Sequence, residues 1–179
     1  KNGEDLIRQV KDADQFNITV DESATTLIPN TVNVRKLEKW LGYLGTSQIQ
    51  RQWKSLKDSG IKTFGDSLHI GGIHLGNVWI GVQPPLGIQG DPMRLMFERD
   101  MTPHPQYAAF YKWLQNDLQA DAVVHFGMHG TVEWLPGSPL GNTGYSWSDI
   151  LLGDLPNLYI YAANNPSESI LAKRRGYGV

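Results

Sequence analysis

Three short apolar runs, separated by loops and by helix-like segments, constrain the fold of this chain more than any other feature. They cover residues 77–82, 122–126 and 158–162, and their β-branched and aromatic side chains are typical of buried strands. Apolar side chains recur at helical spacing over residues 105–118, between the first two runs, and residues 146–152 predict a short helix before the third. Strands that alternate with helices in this way predict an α/β fold with a mostly parallel sheet and crossover helices.

The N-terminal third of the chain has a different pattern and predicts mainly helix. Apolar residues recur at helical spacing within residues 4–10 and again within residues 34–44, where Gly42 and Gly45 weaken the helix and predict a break before it resumes over residues 47–59. No motif of known chemistry occurs in this part of the chain. We therefore expect a mainly helical segment, residues 1–64, followed by an α/β portion, residues 65–179, that carries the chemistry.

Composition and charge restrict the possible functions. With 40% hydrophobic and 19% charged residues, a chain of 179 residues can bury a substantial core and is expected to fold. Lys and Arg number 16 and Asp and Glu 18, and without a basic cluster this balance favours neither nucleic acid nor an anionic membrane. No apolar stretch approaches the roughly 20 residues that span a bilayer. The lack of cysteine excludes disulfides, thiolate metal sites and cysteine nucleophiles.

Unusual polar residues follow the predicted strands at the sheet edge where ligands bind in parallel α/β proteins. The three loops cover residues 90–105, 125–137 and 163–168. In the second loop, His125, His129 and Glu133 recur at four-residue steps. The intervening glycines and Pro136 argue against one continuous helix, so this is not the histidine-bearing helix of a zinc protease. Imidazole and carboxylate side chains together can bind a metal ion or move protons.

Each candidate residue also has a purely structural interpretation. A histidine inside an apolar strand, such as His125, is either a hydrogen-bonded core residue or a ligand-binding one. Glu98 either takes part in the site or forms a surface ion pair with a neighbouring arginine. Trp134 either packs in the core or stacks on a flat aromatic ligand. These alternatives stay open, whereas the glycine-flanked loop at the ligand edge favours a functional role for His129 and Glu133.

The second loop also carries a family resemblance. Residues 125–137 read HFGMHGTVEWLPG, which resembles the signature of the large subunits of magnesium chelatase and aerobic cobaltochelatase. Residues 138–159, 164–168 and 172–178 make the resemblance closer to the magnesium enzymes of plants and cyanobacteria. Members of this family are several times longer than this chain. The chain also begins at Lys1 without Met, and we therefore expect an internal fragment of a longer polypeptide.

The resemblance implies a function for the polypeptide to which such a fragment belongs. It implies a porphyrin-binding catalytic subunit, a ligase that inserts Mg²⁺ into protoporphyrin IX during chlorophyll biosynthesis. ATP would be hydrolysed by two smaller partner subunits of the AAA+ class, which agrees with the lack of a G-x-x-x-x-G-K-[ST] loop here. The fragment alone is expected to be inactive. The implied location is the chloroplast stroma for a plant protein and the cytoplasm for a cyanobacterial one.

The resemblance also implies roles for individual residues. In this family the glutamates that match Glu98 and Glu133 are the leading candidates for active-site acids. Mg²⁺ prefers oxygen ligands and loses water reluctantly, so carboxylates suit its transient delivery. We expect Glu133 to be a base or metal-delivering ligand, Glu98 its partner, and His129 an orienting or relay group. We also expect the two carboxylates to lie close together, although 35 positions separate them. The expected substrate-binding residues are His125, Trp134 and Asn164.

Two other functions stay open at this stage. The fragment could be a non-catalytic binding or signalling module, since plant members of the family have been linked to plastid-to-nucleus signalling and to the abscisic acid response. It could also belong to an enzyme that inserts cobalt during cobalamin synthesis. The closer resemblance to magnesium enzymes after Pro136 disfavours cobalt.

Overall fold

The computed structural model describes most of the chain, in several stretches. These are residues 2–15, 30–57, 59–86, 100–126, 132, 135–137, 143–160, 170 and 173–174. In chain order the described elements are α1 (Gly3–Gln15), β1 (Asn30–Asn33), α2 (Val34–Trp53), β2 (Thr63–Phe64), β3 (Ser67–Ile70), β4 (Gly72–Leu75), β5 (Val78–Gly81), α3 (Pro105–Asn116), β6 (Val123–Phe126), α4 (Trp147–Leu152) and β7 (Asn157–Ile160). The mixed α/β class and the helical start expected from the sequence are confirmed. None of the described helices is long and apolar enough to cross a membrane.

Helix α2 shows the break expected from its two glycines, at Gly42, and ends at Trp53 rather than near residue 59. The Asn33 side chain caps its first turn by accepting a hydrogen bond from the Arg35 N–H at 2.9 Å. Gly42 then has φ 68° and ψ 179°, a non-helical conformation that divides the helix in two. The buried residues Leu37, Leu41 and Ile49 lie on either side of this kink, so both halves contribute to one core.

A three-stranded antiparallel sheet connects the N-terminal part of the chain to the elements after it. Strand β3 lies in its centre, with β1 on one side and β2 on the other. Val32, Leu68 and Ile70 are buried on its inner face. The division of the chain after residue 64 stays a prediction, and this sheet takes strands from both sides of it.

The first apolar run of the sequence forms a strand, but with a different partner and burial from those expected. Strand β5 pairs antiparallel with β4 through a two-residue turn, residues 76–77. Gly76 has φ 59°, as the first position of a type II′ hairpin turn requires. The expected buried, parallel strand is therefore a hairpin strand that pairs with β4 alone among the described strands, and Val78 is 58% exposed. The turn decides the outcome because it returns the chain before a crossover helix can form.

Helix α3 lies at the centre of the core. It begins after His104, whose Nδ1 accepts a hydrogen bond from the Gln106 N–H at 3.1 Å. The Nε2–H of the same ring donates to the Ser59 carbonyl at 3.0 Å. Burial holds the pKa of His104 below its usual value, which keeps the ring in the neutral form that this cap requires. Tyr107 and Tyr111 of α3 are fully buried.

The parallel arrangement expected for the C-terminal part is present between its two described strands. Strands β6 and β7 pair in parallel, with Val123 opposite Asn157 and Phe126 opposite Ile160. Helix α4 lies between them in the chain, as a crossover element should. One face of this pair is covered by α3, while Val124, Phe126 and Ile160 are exposed on the other.

Candidate active site

His125 lies near the carboxyl end of β6, beside two tyrosine rings. Its partner across the parallel pair is Tyr159 of β7, and the two rings stack with centroids 5.0 Å apart and planes 19° apart. The Tyr111 ring of α3 is also nearly parallel to the imidazole, with planes 22° apart and centroids 6.4 Å apart. Alternation along β6 turns His125 towards α3, whereas its neighbours Val124 and Phe126 face outwards. The strand and the helix therefore fix the plane of the imidazole.

The environment of His125 keeps it uncharged. Burial lowers the pKa of its imidazole from 6.5 to about 4, because a cation would lose its hydration there. Among the residues that the structure describes, no group forms a hydrogen bond with its buried Nε2. Both interpretations of His125, as a hydrogen-bonded core residue and as a substrate-binding residue, therefore stay open.

The chain on both sides of Glu133 is held by the first turn of α4. Val132 and Leu135 are fully buried. The Ser148 hydroxyl donates to the Val132 carbonyl at 2.7 Å, and the Trp147 N–H donates to the Pro136 carbonyl at 3.1 Å. Val132 and Pro136 are both buried, so their carbonyls depend on these two hydrogen bonds rather than on water.

The chain that follows Glu98 is anchored in a comparable way, at the end of α2. Gln52 Oε1 accepts hydrogen bonds from the Thr102 N–H at 2.5 Å and from its hydroxyl at 3.1 Å. The Trp53 Nε1–H donates to the Thr102 hydroxyl oxygen at 3.1 Å and to its carbonyl at 3.3 Å. The Trp53 ring also meets the His104 ring edge-on, with centroids 4.8 Å apart. Contacts with Gln52 and Trp53 therefore hold residues 102–104, which lie near the end of the predicted loop that carries Glu98.

Of the residues singled out from the sequence, the structure describes His125. Five lie outside the described residues: Glu98, His129, Glu133, Trp134 and Asn164. The expected approach of the two carboxylates stays a prediction. Within the described stretches, no group of three His, Asp or Glu side chains could hold a metal ion.

Four further residues of the site were not predicted from the sequence. Tyr111 and Tyr159 contact His125, and Ser148 and Thr102 hold the chain beside the two glutamates. Only the predicted parallel pairing of β6 and β7 could have indicated that Tyr159 contacts His125, because the register of these two strands places the two residues opposite each other. Ser148 and Thr102 gave no signal, since both types are common near helix starts.

Comparison with known proteins decides the family. All 179 residues match a family model described as CobN/Magnesium Chelatase. The chain belongs to this family. The expectation from the loop at residues 125–137 is thereby confirmed, and the described α/β elements are those of a chelatase segment.

Individual chelatases agree with this assignment. The magnesium-chelatase H subunit of Chlorobaculum parvum is 48% identical over 81% of this chain, and the match covers 11% of that protein. The chloroplastic magnesium-chelatase ChlH subunit of Oryza sativa subsp. indica is 43% identical over 82% of this chain and 10% of its own length. The catalytic subunit of cobaltochelatase from Mycobacterium tuberculosis is structurally similar, with a TM-score of 0.70 and 32% identity over 84% of this chain and 14% of its own. The chain therefore spans about a tenth to a seventh of these proteins.

Proposed function

We propose that this chain is part of the porphyrin-binding large subunit of a magnesium chelatase, which inserts Mg²⁺ into protoporphyrin IX during chlorophyll biosynthesis. The observation that supports this most directly is the 48% identity to a magnesium-chelatase H subunit over 81% of the chain. In this proposal, two smaller AAA+ subunits hydrolyse ATP to drive the reaction. A plant protein of this kind would work in the chloroplast stroma and a cyanobacterial one in the cytoplasm.

The reaction sets two tasks for the protein. Two pyrrole N–H protons must leave the macrocycle for each Mg²⁺ that enters, and the ion must exchange water for porphyrin nitrogens. Carboxylates suit both tasks, because they accept protons and are the oxygen ligands that Mg²⁺ prefers. We assign Glu133 as the base or metal-delivering ligand and Glu98 as the second carboxylate. His129 orients one of them or relays the proton.

His125 has the properties of a substrate-contacting group in this scheme. A pKa of about 4 keeps its ring neutral at working pH, so it does not repel an incoming divalent cation. Its plane is fixed by Tyr111 and Tyr159, which limits the entropy lost when a ligand binds. Trp134 and Asn164 complete the proposed contacts to the macrocycle, the first by stacking and the second by hydrogen bonding.

Glu133→Gln in the full-length subunit tests the catalytic assignment. Glutamine keeps the shape of the side chain but removes its charge and basicity, so turnover should fall by at least the roughly 10²-fold typical of losing a general base. Porphyrin affinity, measured by quenching of Trp fluorescence, should change little, because binding rests mainly on apolar and stacking area. Near-normal turnover in a folded variant would remove Glu133 from the mechanism and leave Glu98 as the better candidate.

Cobalt insertion is the second candidate, because the chain also resembles a cobaltochelatase catalytic subunit. Both reactions need carboxylates near a tetrapyrrole, so the residues assigned above do not separate them. Incubation of the complete enzyme with protoporphyrin IX and Mg²⁺, and in parallel with a corrin precursor and Co²⁺, does. Turnover only in the corrin and Co²⁺ reaction would replace the magnesium proposal by the cobalt one.

A further inference from the structure

The first turn of α4 contacts the chain around Glu133 at three points. The Ser148 hydroxyl donates to the Val132 carbonyl at 2.7 Å, and the Trp147 N–H donates to the Pro136 carbonyl at 3.1 Å. A third contact is steric, since a Cβ on Gly137 would lie 2.3 Å from the Cβ of Ser146. These contacts fall before and after Glu133 in the sequence.

Of these three contacts, the one made by Ser148 is nearest to Glu133 in the sequence. The carbonyl that it holds belongs to Val132, the residue directly before Glu133, and consecutive Cα atoms are about 3.8 Å apart. Ser148 is 1% exposed and Val132 is fully buried, so water cannot replace the hydroxyl. The Leu135 N–H is a weaker second donor to the same carbonyl, at 3.4 Å. Without Ser148, that long hydrogen bond would be the one that the described residues still supply to this carbonyl.

We propose that Ser148 is a positioning residue of the metal-insertion site, which acts through the Val132 carbonyl on Glu133. The inference rests on the proposed function, in which Glu133 is a base or metal-delivering ligand. Two hydrogen bonds, to the carbonyls of Val132 and Pro136, and the buried Val132 and Leu135 side chains hold the described residues before and after position 133. Such a brace keeps a carboxylate at one distance from a bound macrocycle, a requirement of proton transfer and of ion delivery.

Ser148→Ala in the full-length subunit, assayed with its partner subunits, is the first test. We expect turnover to fall by the roughly 10- to 100-fold typical of losing an outer hydrogen-bond partner of a functional ligand. The porphyrin dissociation constant should change by a smaller factor than turnover, because Trp134, which lies on the same stretch, is only one of the proposed macrocycle contacts. Asn33→Ala is the matched control. It also deletes one side-chain hydrogen bond, at the cap of α2, and should lower thermal stability without lowering turnover.

A double-mutant cycle with Glu133→Asp separates positioning from general damage. If Ser148 acts through Glu133, Ser148→Ala should cause little further loss of turnover in the Glu133→Asp background. Full additivity, or normal turnover in folded Ser148→Ala, would overturn the proposal. Should the alanine variant fail to fold, Ser148→Cys carries the same test, since a thiol has nearly the same shape but is a weak donor. Full activity of Glu133→Gln would instead refute the function assigned to Glu133, a separate outcome.

Discussion

The neutral state of His125 gives a pH dependence of stability that can be worked out from the structure. In the unfolded chain an imidazole titrates near pH 6.5, whereas burial lowers the pKa of His125 to about 4 in the folded protein. Between these values the unfolded state binds more protons than the folded one. Stability from this group is therefore fully present above about pH 6.5 and is lost as the pH falls towards 4.

The magnitude follows from the same two values. From pH 7.5 to pH 5.0, linkage predicts a loss of about 2 kcal/mol in the free energy of unfolding from this residue, and about 3 kcal/mol once the pH is below both values. His69 and His104 also have pKa values lowered by burial, so the wild-type protein alone cannot isolate the effect. A variant that removes only the His125 imidazole can.

His125→Phe is the appropriate variant, because phenylalanine keeps an aromatic ring beside Tyr111 and Tyr159 but cannot bind a proton. Urea unfolding at pH 7.5 and pH 5.0 should show that the variant loses about 2 kcal/mol less than wild type between the two conditions. At pH 7.5 its stability should not fall, because phenylalanine removes a buried nitrogen that has no hydrogen-bond partner in the described part of the chain. Equal losses in wild type and His125→Phe would refute the buried, neutral imidazole.

Activity, loop proximity and backbone packing each give one further prediction. The 179-residue chain alone should not hydrolyse ATP, because it lacks a phosphate-binding loop, and should not insert Mg²⁺, because it spans about a tenth of the related H subunits; turnover of either kind would contradict this. Cysteines that replace Glu98 and Glu133 should be joined by a short bifunctional thiol reagent in this cysteine-free chain, and a folded variant that resists cross-linking would separate the two carboxylates. Gly71→Ala should cost about 1–3 kcal/mol of stability by calorimetry, because its Cβ would lie 2.6 Å from the Asp14 Cα. Gly3→Ala, with open space around it, should not, and equal melting temperatures for the two variants would exclude the clash.

Local signals in the sequence were enough to place the helices. Pro105 and the apolar spacing after it predict α3, and the glycines at positions 42 and 45 predict an interruption of α2, which the structure has at Gly42. Strand pairing was harder to predict. The run at residues 77–82 had the composition of a buried parallel strand, yet the two-residue turn before it commits the chain to a hairpin. Whether two strands pair in parallel or antiparallel depends on the connection between them as well as on the composition of each strand.

The state of His125 could not be read from its neighbours in the sequence. Its environment is made by Tyr111, fourteen positions earlier on α3, and by Tyr159, thirty-four positions later on β7. The loop motif marks the histidine as unusual but contains neither tyrosine. Burial, and with it the lowered pKa, therefore arises only when α3 packs across the β6–β7 pair.

For the same reason, the sequence indicates the reactive residues of the proposed site but not the residues that support them. Glutamate and histidine in a glycine-rich loop attract attention because few structural roles require them there. Ser148 and Thr102 are ordinary residues near helix starts, and their importance comes from which carbonyl or amide they meet across the fold. Ser148 bonds to the residue directly before Glu133, and Thr102 lies four positions after Glu98; both glutamates were predicted from the sequence. A substitution at Ser148 or Thr102 should therefore affect the proposed site although neither side chain need contact a substrate.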